Sequence, residues 1–556
     1  MTKDTSTKKK PGSWIPEHLN PHNFRSLIDV FQKACKEFKD CPAFTSVGKT
    51  ITYGELDDLS SGFAAYLQKN TDLKEGDRIA IQLPNVIQSP IAVFGAIKAG
   101  LIVVNTNPLY TPKELQHQFN DSGAKALVVF ANMAHNVEAI IDKTNIKHVF
   151  VTQIADFHPM PKKLLINSVV KYVKKMVPPY SLPKSVDFFT AVKQGQQLSV
   201  NIIHKNPEDI AVLQYTGGTT GVAKGAMLTH ANLISNLHQL GDRLCDHCTP
   251  GEELYIAPLP MYHIYSFLIH GLTLLNRGAH SILIPNPRDI PGFVKELKKW
   301  RFSGFVGLNT LFVALCNNED FKKLDFSRLK ITASGGMALT HSAADEWKKV
   351  TGRTVIEGYG LTETSPVVSF NPVGKEQIGT IGVPVDDTLL KFVDDDNNEV
   401  PDGEAGVLCV YGPQVTKGYW QREDSTRESM TEDGYFITGD IAKRHSDGYI
   451  QIVDRAKDMI IVSGFNVYPS EVEDCLSSHE DILEAAAIGI EDEKTGEAVK
   501  AFVVLKDPKV KVDLSDLRLF CRKELAAYKV PKCIEIREDL PKTNVGKVLR
   551  RALRDE

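Results

Sequence analysis

The sequence lacks a long uninterrupted apolar run of the kind that crosses a membrane. Its most apolar stretch, SPIAVFGAIKAGLIVVNTNP, is broken by Lys98 and Gly100 and predicts a helix followed by a strand. The first residues, MTKDTSTKKKPGSW, are polar and basic, so a secretory signal is not expected. The last residues, RALRDE, do not form the peroxisomal tripeptide. These absences predict a cytoplasmic location.

A disulfide framework is also lacking, because the nine cysteines are scattered through a large chain without regular spacing. This pattern favours a reducing compartment. Cys245 and Cys248 form one C-x-x-C pair around His247, but a zinc site needs four ligands and no second pair lies nearby in the sequence. We therefore expect ordinary thiols here.

Charge of one sign is not in excess either. The 65 basic and 69 acidic residues give a net charge of −4, and no basic-aromatic module stands out, so nucleic acid is not an expected partner. With 556 residues, of which 42% are hydrophobic and 24% charged, the chain has the composition of a globular protein of several domain-sized units.

From about residue 77, short β-branched runs alternate with amphipathic helical patterns, first in DRIAIQL to KHVFVTQ and again from ELYIAPL to LKITASGG. This alternation predicts two doubly wound α/β subdomains. From about residue 378, strands joined by Asp, Asn and Gly turns predict a small antiparallel sheet or barrel-like β subdomain. The last hundred residues mix strands and helices, which predicts a small α+β domain.

A glycine- and threonine-rich loop interrupts the first half of the chain, in LQYTGGTTGVAKGAMLTH. Glycine allows the backbone N–H groups to approach an anion closely, and Lys224 adds a positive charge. The P-loop motif does not match, because Ala223 precedes this lysine and Gly225 follows it. We expect a strand, a tight loop and a helix start that together bind polyphosphate, the alternative being a flexible surface turn.

Four further stretches occur in a fixed order across the second half: EGYGLTETSP, YFITGDIAKRHSDGYIQIVDRAKD, IIVSGFNVYPSEVE and LPKTNVGKVLRR. Together with the glycine loop they resemble the adenylate-forming superfamily of acyl-CoA synthetases, adenylation domains and luciferases. Other phrases, such as VVNTNPLYTPKELQHQFNDSGA and GPQVTKGYWQRED, resemble more narrowly the bacterial long-chain fatty-acid–CoA ligases. The resemblance extends from residue 20 to the end of the chain.

The resemblance implies ATP-dependent activation of a fatty acid to its CoA thioester through an acyl-adenylate, with Mg²⁺ as cofactor. It also implies a large N-terminal domain, 1–453, and a small mobile C-terminal domain, 454–556, with the hinge at Asp454. The implied catalytic residues are Thr216, Glu363 and Lys547, with Glu363 as the magnesium ligand. His263 would border the acyl site, and Gly464 would let the pantetheine arm of CoA pass. The implied ATP-binding residues are Tyr215, Thr216, Gly217, Gly218, Thr219, Thr220, Gly221, Lys224, Gly335, Gly336, Gly358, Tyr359, Gly360, Leu361, Thr362, Asp440, Arg455 and Lys547.

Three positions depart from the family pattern. Ala456 stands where a lysine is common beside the hinge, Tyr435 where tryptophan is usual, and Asn466 where some relatives have arginine. The alternatives are an adenylating enzyme that loads a carrier protein, a luciferase-like oxygenase, and a lipid-responsive membrane protein with an inactive nucleotide site. A homodimer is also left open.

The segment KKLLINSVVKYVKKMV, 162–177, carries lysines and no acidic residue. On a helix, one face would be apolar: Leu165, Ile166, Val169, Val170, Tyr172, Val173, Met176 and Val177. The other face would carry Lys163, Asn167, Ser168, Lys171, Lys174 and Lys175, with Leu164 as the one residue that does not fit. Such a helix is expected to lie on the anionic inner face of the cell membrane, the alternative being that its apolar face packs on the protein.

Overall fold

Two large, mostly parallel sheets with their helices form most of the protein, and two smaller sheets follow them along the chain. The structure is a computed structural model, and it describes residues 9–216, 223–394, 396–463, 465–492, 494–543 and 547–556. Both large sheets contribute to one extensive hydrophobic core, as expected for strands buried on both faces by helices.

The first large sheet has seven strands, of which the first six in spatial order are parallel. In that order they are Val186–Asp187, His148–Thr152, Ala124–Phe130, Arg78–Gln82, Ile102–Asn105, Ile210–Thr216 and Lys224–Thr229. The last two strands pair antiparallel, with Thr216 opposite Lys224. The predicted strand, loop and helix start is therefore wrong in one respect: a second strand lies between the glycine loop and the helix His230–Leu244.

The second large sheet has nine strands and receives two of them from the N-terminal part of the chain. In spatial order the strands are Val383–Pro384, Val367–Phe370, Val355–Gly360, Ile331–Ser334, Gly304–Gly307, Leu254–Ala257, His280–Leu283, Pro42–Ser46 and Lys49–Thr52. The six central strands, from 355–360 to 42–46, are parallel, so their carboxyl ends meet at one edge. Ligands of open α/β sheets bind at that edge.

Helices cover both large sheets, and several begin at side chains that cap them. Thr52 accepts a hydrogen bond from the N–H of Glu55, whose carboxylate accepts one from the N–H of Thr52 in return. The α-helices are Leu27–Glu37, Tyr53–Asn70, Gln88–Lys98, Pro112–Ser122, Ala134–Glu138, Lys162–Ser168, Phe188–Gly195, His230–Leu244, Ile264–Ser266, Leu274–Asn276, Ile290–Leu297, Asn309–Cys316, His341–Thr351, Glu423–Glu428, Pro469–Ser477, Leu514–Glu524 and Arg550–Arg554. Wider π-helical turns occur at Val169–Val173 and Phe267–Thr273. Single 3₁₀ turns occur at Glu17–Leu19, Ala131–Met133, Ile141–Lys143, Cys245–His247, Thr362–Thr364 and Ala527–Lys529.

The small β subdomain is a four-stranded antiparallel sheet with its own core. Its strands are Leu389–Val393, Gly406–Tyr411, Phe436–Arg444 and Ile450–Arg455. It begins later than the sequence suggested, because Val383–Pro384 pairs with Val367–Phe370 and extends the nine-stranded sheet instead. Of the sheet and the barrel that the sequence allowed, the structure has the sheet.

The C-terminal residues form a mixed sheet covered by helices, as predicted. The strands are Ile460–Val462, Phe465–Val467, Ile482–Asp492, Gly496–Leu505 and Cys533–Arg537, the last being parallel to its neighbour. Val472, Leu476 and Leu517 pack from the helices onto this sheet and form a core separate from that of the large sheets.

The lysine-rich segment 162–177 is shorter and oriented differently than its periodicity predicts. The α-helix ends at Ser168, the π-helical turn follows, and the backbone turns at Lys175, where φ is 51°. Asn167, placed on the polar face, is buried and donates to Asp156. Leu165 and Tyr172, placed on the apolar face, are 66% and 68% exposed. Within the described ranges, no helix is both long and apolar enough to cross a membrane.

Candidate active site

A cavity of about 630 Å³ lies where the carboxyl edge of the nine-stranded sheet meets the 216/224 hairpin, the small β sheet and the C-terminal residues. Most predicted site residues that the structure describes line it, although they come from distant parts of the chain. These are Thr216, Lys224, His263, Gly335, Gly336, Gly358, Tyr359, Gly360, Leu361, Thr362, Glu363, Arg455 and Lys547.

The other predicted residues are not in the described lining of the cavity. Gly217, Gly218, Thr219, Thr220, Gly221 and Gly464 lie outside the described residues. Tyr215 does not belong to the described lining, because side chains alternate along its strand and Thr216 faces the cavity instead. The hydroxyl of Tyr215 donates to Asp121 Oδ2 at 2.7 Å, and its ring packs against Gly225. Its side chain is therefore engaged within the protein, and its predicted ATP contact stays a prediction.

Lys224 is the first residue of the second hairpin strand and pairs with Thr216, the last residue of the first strand. Its Nζ donates to Ser425 Oγ at 2.9 Å and lies 5.4 Å from the centre of the Tyr419 ring. Both partners also line the cavity, and sequence reasoning assigned a role to neither. The hairpin thus presents a cation held over an aromatic ring at the cavity wall.

Glu363 lies in the single 3₁₀ turn that follows the strand Val355–Gly360, and its side chain is buried. Its Oε1 accepts a hydrogen bond from the Tyr419 hydroxyl at 2.7 Å. Burial raises the pKa of this carboxyl above its usual range. A cation placed in the cavity would favour the ionised form.

Asp440 is buried behind the cavity wall and joins two residues that line it. The hydroxyl of Tyr359 donates to its Oδ2 at 2.5 Å, and Arg455 Nε lies 3.0 Å from its Oδ1. Arg455 faces Asp440 directly across two antiparallel strands. Both carboxylate oxygens therefore already have a protein partner, which fixes Tyr359 and Arg455 at the site.

Lys547 reaches the cavity from near the end of the chain and is half-buried there. Burial, followed by the positive charge of Arg455, lowers the pKa of its ammonium group to about 8. His263 lines the same cavity, and its Nδ1 accepts a hydrogen bond from the N–H of Tyr265 at 3.3 Å. Burial and the nearby Lys547 charge lower the pKa of His263 to about 4, so the imidazole is neutral at neutral pH.

Asp454 lies beside the site rather than in the cavity. It is near the end of the strand Ile450–Arg455, and its Oδ2 accepts a hydrogen bond from the N–H of Ser470 in the C-terminal region. Arg550 donates to its Oδ1 at 3.1 Å. The carboxylate thus connects the last strand of the small sheet to the segment that carries Lys547.

The other half of the cavity is apolar, which sequence reasoning did not resolve. Its walls include Leu240, Leu244, Tyr255, Ile264, Ile269, Val306 and Ile331. Sequence alone does not separate core from cavity lining in the stretch HIYSFLIHGLTLL, 263–275, and the structure places Ile264, Tyr265 and Ile269 in the lining. The sequence signal that could have indicated this apolar wall is the i, i+4 spacing of Leu240 and Leu244 on the helix His230–Leu244.

The site therefore combines cations, glycine turns and one buried carboxylate with an adjoining apolar chamber. Within the described ranges no group of three His, Cys, Asp or Glu side chains could hold a metal ion. Cys248 of the C-x-x-C pair is buried, and its Sγ lies 3.2 Å from the Tyr255 hydroxyl. A single carboxylate such as Glu363 suits Mg²⁺, which takes most of its other ligands from water and substrate phosphates.

A nucleotide-sized polar site, an adjoining apolar chamber and a lysine from a separate C-terminal unit together define the class of adenylate-forming enzymes. Family models agree with this assignment: AMP-binding enzyme matches residues 31–420, and the AMP-binding enzyme C-terminal domain matches residues 471–547. The chain belongs to the AMP-binding enzyme family.

Three known proteins illustrate the likeness. The long-chain-fatty-acid–CoA ligase of Escherichia coli O6:H1 is 50% identical over 543 residues, which cover 98% of this chain and 96% of that protein. The long-chain-fatty-acid–CoA ligase of Bacillus subtilis is 36% identical, with 98% of each chain covered. The crystal structure of ATP-bound MatB from Rhodopseudomonas palustris superposes with a TM-score of 0.82 at 27% identity, covering 95% of this chain and 98% of that one.

Proposed function

We propose that the protein is an AMP-forming ligase that joins long-chain fatty acids to CoA through an acyl-adenylate. The observation that carries the proposal is the entry of Lys547 into a cavity whose polar half holds Lys224 and Glu363 and whose other half is apolar. The substrate class is supported by relatives that are named for it and are up to 50% identical over nearly the whole chain.

In the first step, a carboxylate oxygen of the fatty acid attacks the α-phosphate of ATP, and pyrophosphate leaves. Two anions must approach each other, which costs free energy unless positive groups lie between them. Lys547 is the group that would bridge the incoming oxygen and the α-phosphate, while Lys224 and the glycine loop would hold the departing phosphates. His263 is neutral, so it would border the reacting carboxylate without adding charge.

Glu363 fits a magnesium ligand, because its buried carboxylate has one protein donor, Tyr419, and faces the cavity. Mg²⁺ bound there would neutralise phosphate charge during the displacement. Arg455, held by Asp440, would contact the ribose or phosphate of the nucleotide.

In the second step, the thiol of CoA attacks the acyl carbon and AMP leaves. Lys547 is not needed once pyrophosphate has gone, and its place would have to be vacated for the pantetheine arm. We assign this change to rotation of residues 454–556 about Asp454, with Gly464 bordering the thiol path.

The test of the reaction is to incubate the protein with MgATP, CoA and palmitate. We expect AMP, pyrophosphate and palmitoyl-CoA in equal amounts, and dependence on Mg²⁺. Formation of ADP would indicate an acyl-phosphate route and overturn the proposal. Preference for acetate or an aromatic acid over palmitate would overturn the substrate class.

Segment 162–177, together with the neighbouring Met160, supports a second element of the proposal, peripheral binding to an anionic bilayer. Six apolar side chains here are at least half exposed: Met160, Leu164, Leu165, Tyr172, Val173 and Met176. Polar groups hold the first part of the segment on the protein, since Asn167 Oδ1 accepts from the N–H of Ala155 and Lys163 Nζ lies 3.5 Å from Asp156. At its end, Val177 packs against a buried apolar cluster. An outward apolar surface flanked by exposed lysines is the arrangement that binds the interface of anionic membranes.

The membrane test uses the three exposed lysines 171, 174 and 175 and leaves Lys163 unchanged, because its ion pair holds the segment in place. We expect Lys171→Glu, Lys174→Glu and Lys175→Glu together to abolish salt-sensitive binding to phosphatidylglycerol vesicles. The same charge change at the exposed Lys509, Lys511 and Lys523 is the control and should preserve binding. Equal binding by both triple variants would exclude this segment as the contact.

A further inference from the structure

The apolar half of the cavity follows one face of the nine-stranded sheet from its carboxyl edge toward the amino ends of the strands. Ile331, Ala333 and Gly335 alternate along one strand and its end, and all three line the cavity. At a rise of roughly 3.3 Å per residue, the four positions from Gly335 to Ile331 span roughly 13 Å. The cavity therefore extends well below the nucleotide region.

Neighbouring strands continue the same wall in register. Val306 lies beside Ala333, and Gly304 lies beside Ile331. Tyr255, on the next strand, lies beside Gly304. Ile331 and Tyr255, which lie on either side of Gly304 in register, are thus the deepest residues of this face that line the cavity.

The opposite wall comes from helices. Leu240 and Leu244 are one turn apart on the helix His230–Leu244, and Ile269 comes from the π-helical turn. All three are buried. An alkyl chain lying between these walls would contact only apolar side chains, which is the environment that it prefers.

The Tyr255 ring closes the deep end. It is 2% exposed, and its hydroxyl is fixed by Cys248 Sγ at 3.2 Å. A Cβ atom added to Gly304 would lie 2.0 Å from Cε1 of this ring, so the ring occupies the space that a side chain at position 304 would fill. The absence of a side chain at Gly304 is what leaves this space to the Tyr255 ring.

We propose that Tyr255, seated over Gly304, forms the floor of the acyl-binding chamber and sets the longest fatty acid that the enzyme accepts. The inference rests on the proposed ligase function. With the carboxylate at Lys547, the alkyl chain runs down the sheet face, and its methyl end meets the Tyr255 ring. A smaller side chain at position 255 deepens the chamber. A methyl group at position 304 instead pushes the Tyr255 ring toward Lys547, which shortens the chamber.

The experiment measures kcat/KM for saturated acids from octanoate to arachidate, with MgATP and CoA saturating. Tyr255→Leu should raise the ratio of the longest to the shortest acids by at least about tenfold, since single methylenes in apolar pockets already have effects of this size. Gly304→Ala should change the ratio in the opposite direction. Gly307→Ala is the matched control, because its added methyl would press on Phe312, which is not in the described lining, 2.8 Å away.

Thermal unfolding of each variant separates loss of fold from change of preference. If Gly304→Ala does not fold, the double variant Tyr255→Leu with Gly304→Ala should fold again, because the clash is with the ring. If Tyr255→Leu folds and the ratio of kcat/KM for the longest to the shortest acids is unchanged, Tyr255 is not the floor of the chamber. Failure of the unaltered protein to ligate any fatty acid would instead overturn the proposed function.

Discussion

Arg550 donates from Nη1 to Asp454 Oδ1 at 3.1 Å, and so joins the proposed hinge to the segment that carries Lys547. The same guanidinium pairs with Glu473 at 2.6 Å and with Asp458 at 3.1 Å. Three carboxylates around one half-buried arginine form a network that is worth more than isolated surface pairs. Since Arg550 is three residues from Lys547, the network also fixes where that lysine enters the cavity.

Removing this arginine should therefore impair the first half-reaction more than the second. We expect Arg550→Gln to slow adenylate formation by about a hundredfold, because a displacement of about 1 Å at a reacting group can have that effect. Turnover of synthetic palmitoyl-adenylate with CoA should fall by less than about threefold. Arg551→Gln is the control, since that side chain is 64% exposed and pairs with Asp555 at the surface. Equal loss in both half-reactions would contradict a positioning role.

Lys547 should be needed for only one of the two steps. We expect Lys547→Ala to reduce pyrophosphate exchange by at least about a thousandfold, since it removes a positive charge from the displacement. The variant should still convert synthetic palmitoyl-adenylate and CoA to the thioester. Lys542→Ala is the control within the same segment, because Lys542 pairs with Glu484 and Asp539 instead of lining the described cavity. A parallel loss of both activities in Lys547→Ala would argue against separate arrangements for the two steps.

The pH dependence of adenylate formation should report the ionisation of Lys547. Its pKa is lowered to about 8, so the ammonium form is present below that pH and is lost above it. Because the charged form is required, kcat/KM for the first step should fall by about tenfold per pH unit above about 8. In Lys547→Arg any remaining activity should lack this fall, since arginine stays protonated. If the fall in kcat/KM above about pH 8 persists in Lys547→Arg, the ionisation belongs to another group.

Local patterns were sufficient for the layers of the fold, and the motifs identified part of the polar half of the cavity lining. Buried parallel strands are continuous apolar runs, and these predicted the two α/β sheets. The family resemblance implied Gly335, Gly358 and Glu363, which the structure brings into one cavity. The strand Lys224–Thr229 was missed because its six residues directly precede a strong helical pattern.

Contacts between distant segments were beyond sequence reasoning. Tyr419 and Glu363 are far apart in the chain, and no local pattern predicts the 2.7 Å hydrogen bond between them. Helical periodicity divided segment 162–177 into an apolar and a polar face, but it does not predict which of the two is exposed to solvent. Asn167 is drawn inward because Asp156 and the N–H of Ala155 supply its hydrogen bonds, which leaves the apolar side chains outside.

Lys224 is expected to act on the nucleotide rather than on stability. In the protein it bonds to Ser425 and lies near the Tyr419 ring, contacts that a half-buried side chain can lose at a cost of about 1 kcal/mol. Hydrogen bonds between charged groups contribute about 1.5–3 kcal/mol, so Lys224→Ala should raise KM for MgATP by at least about tenfold. KM for palmitate should change by less than about twofold, and the melting temperature by a few degrees at most. Lys417→Ala is the matched control on the adjoining surface, where Nζ donates to the Glu208 carbonyl at 3.4 Å. An unchanged KM for MgATP in Lys224→Ala would remove this lysine from the phosphate site and leave phosphate binding to the glycine loop and to Mg²⁺ held by Glu363.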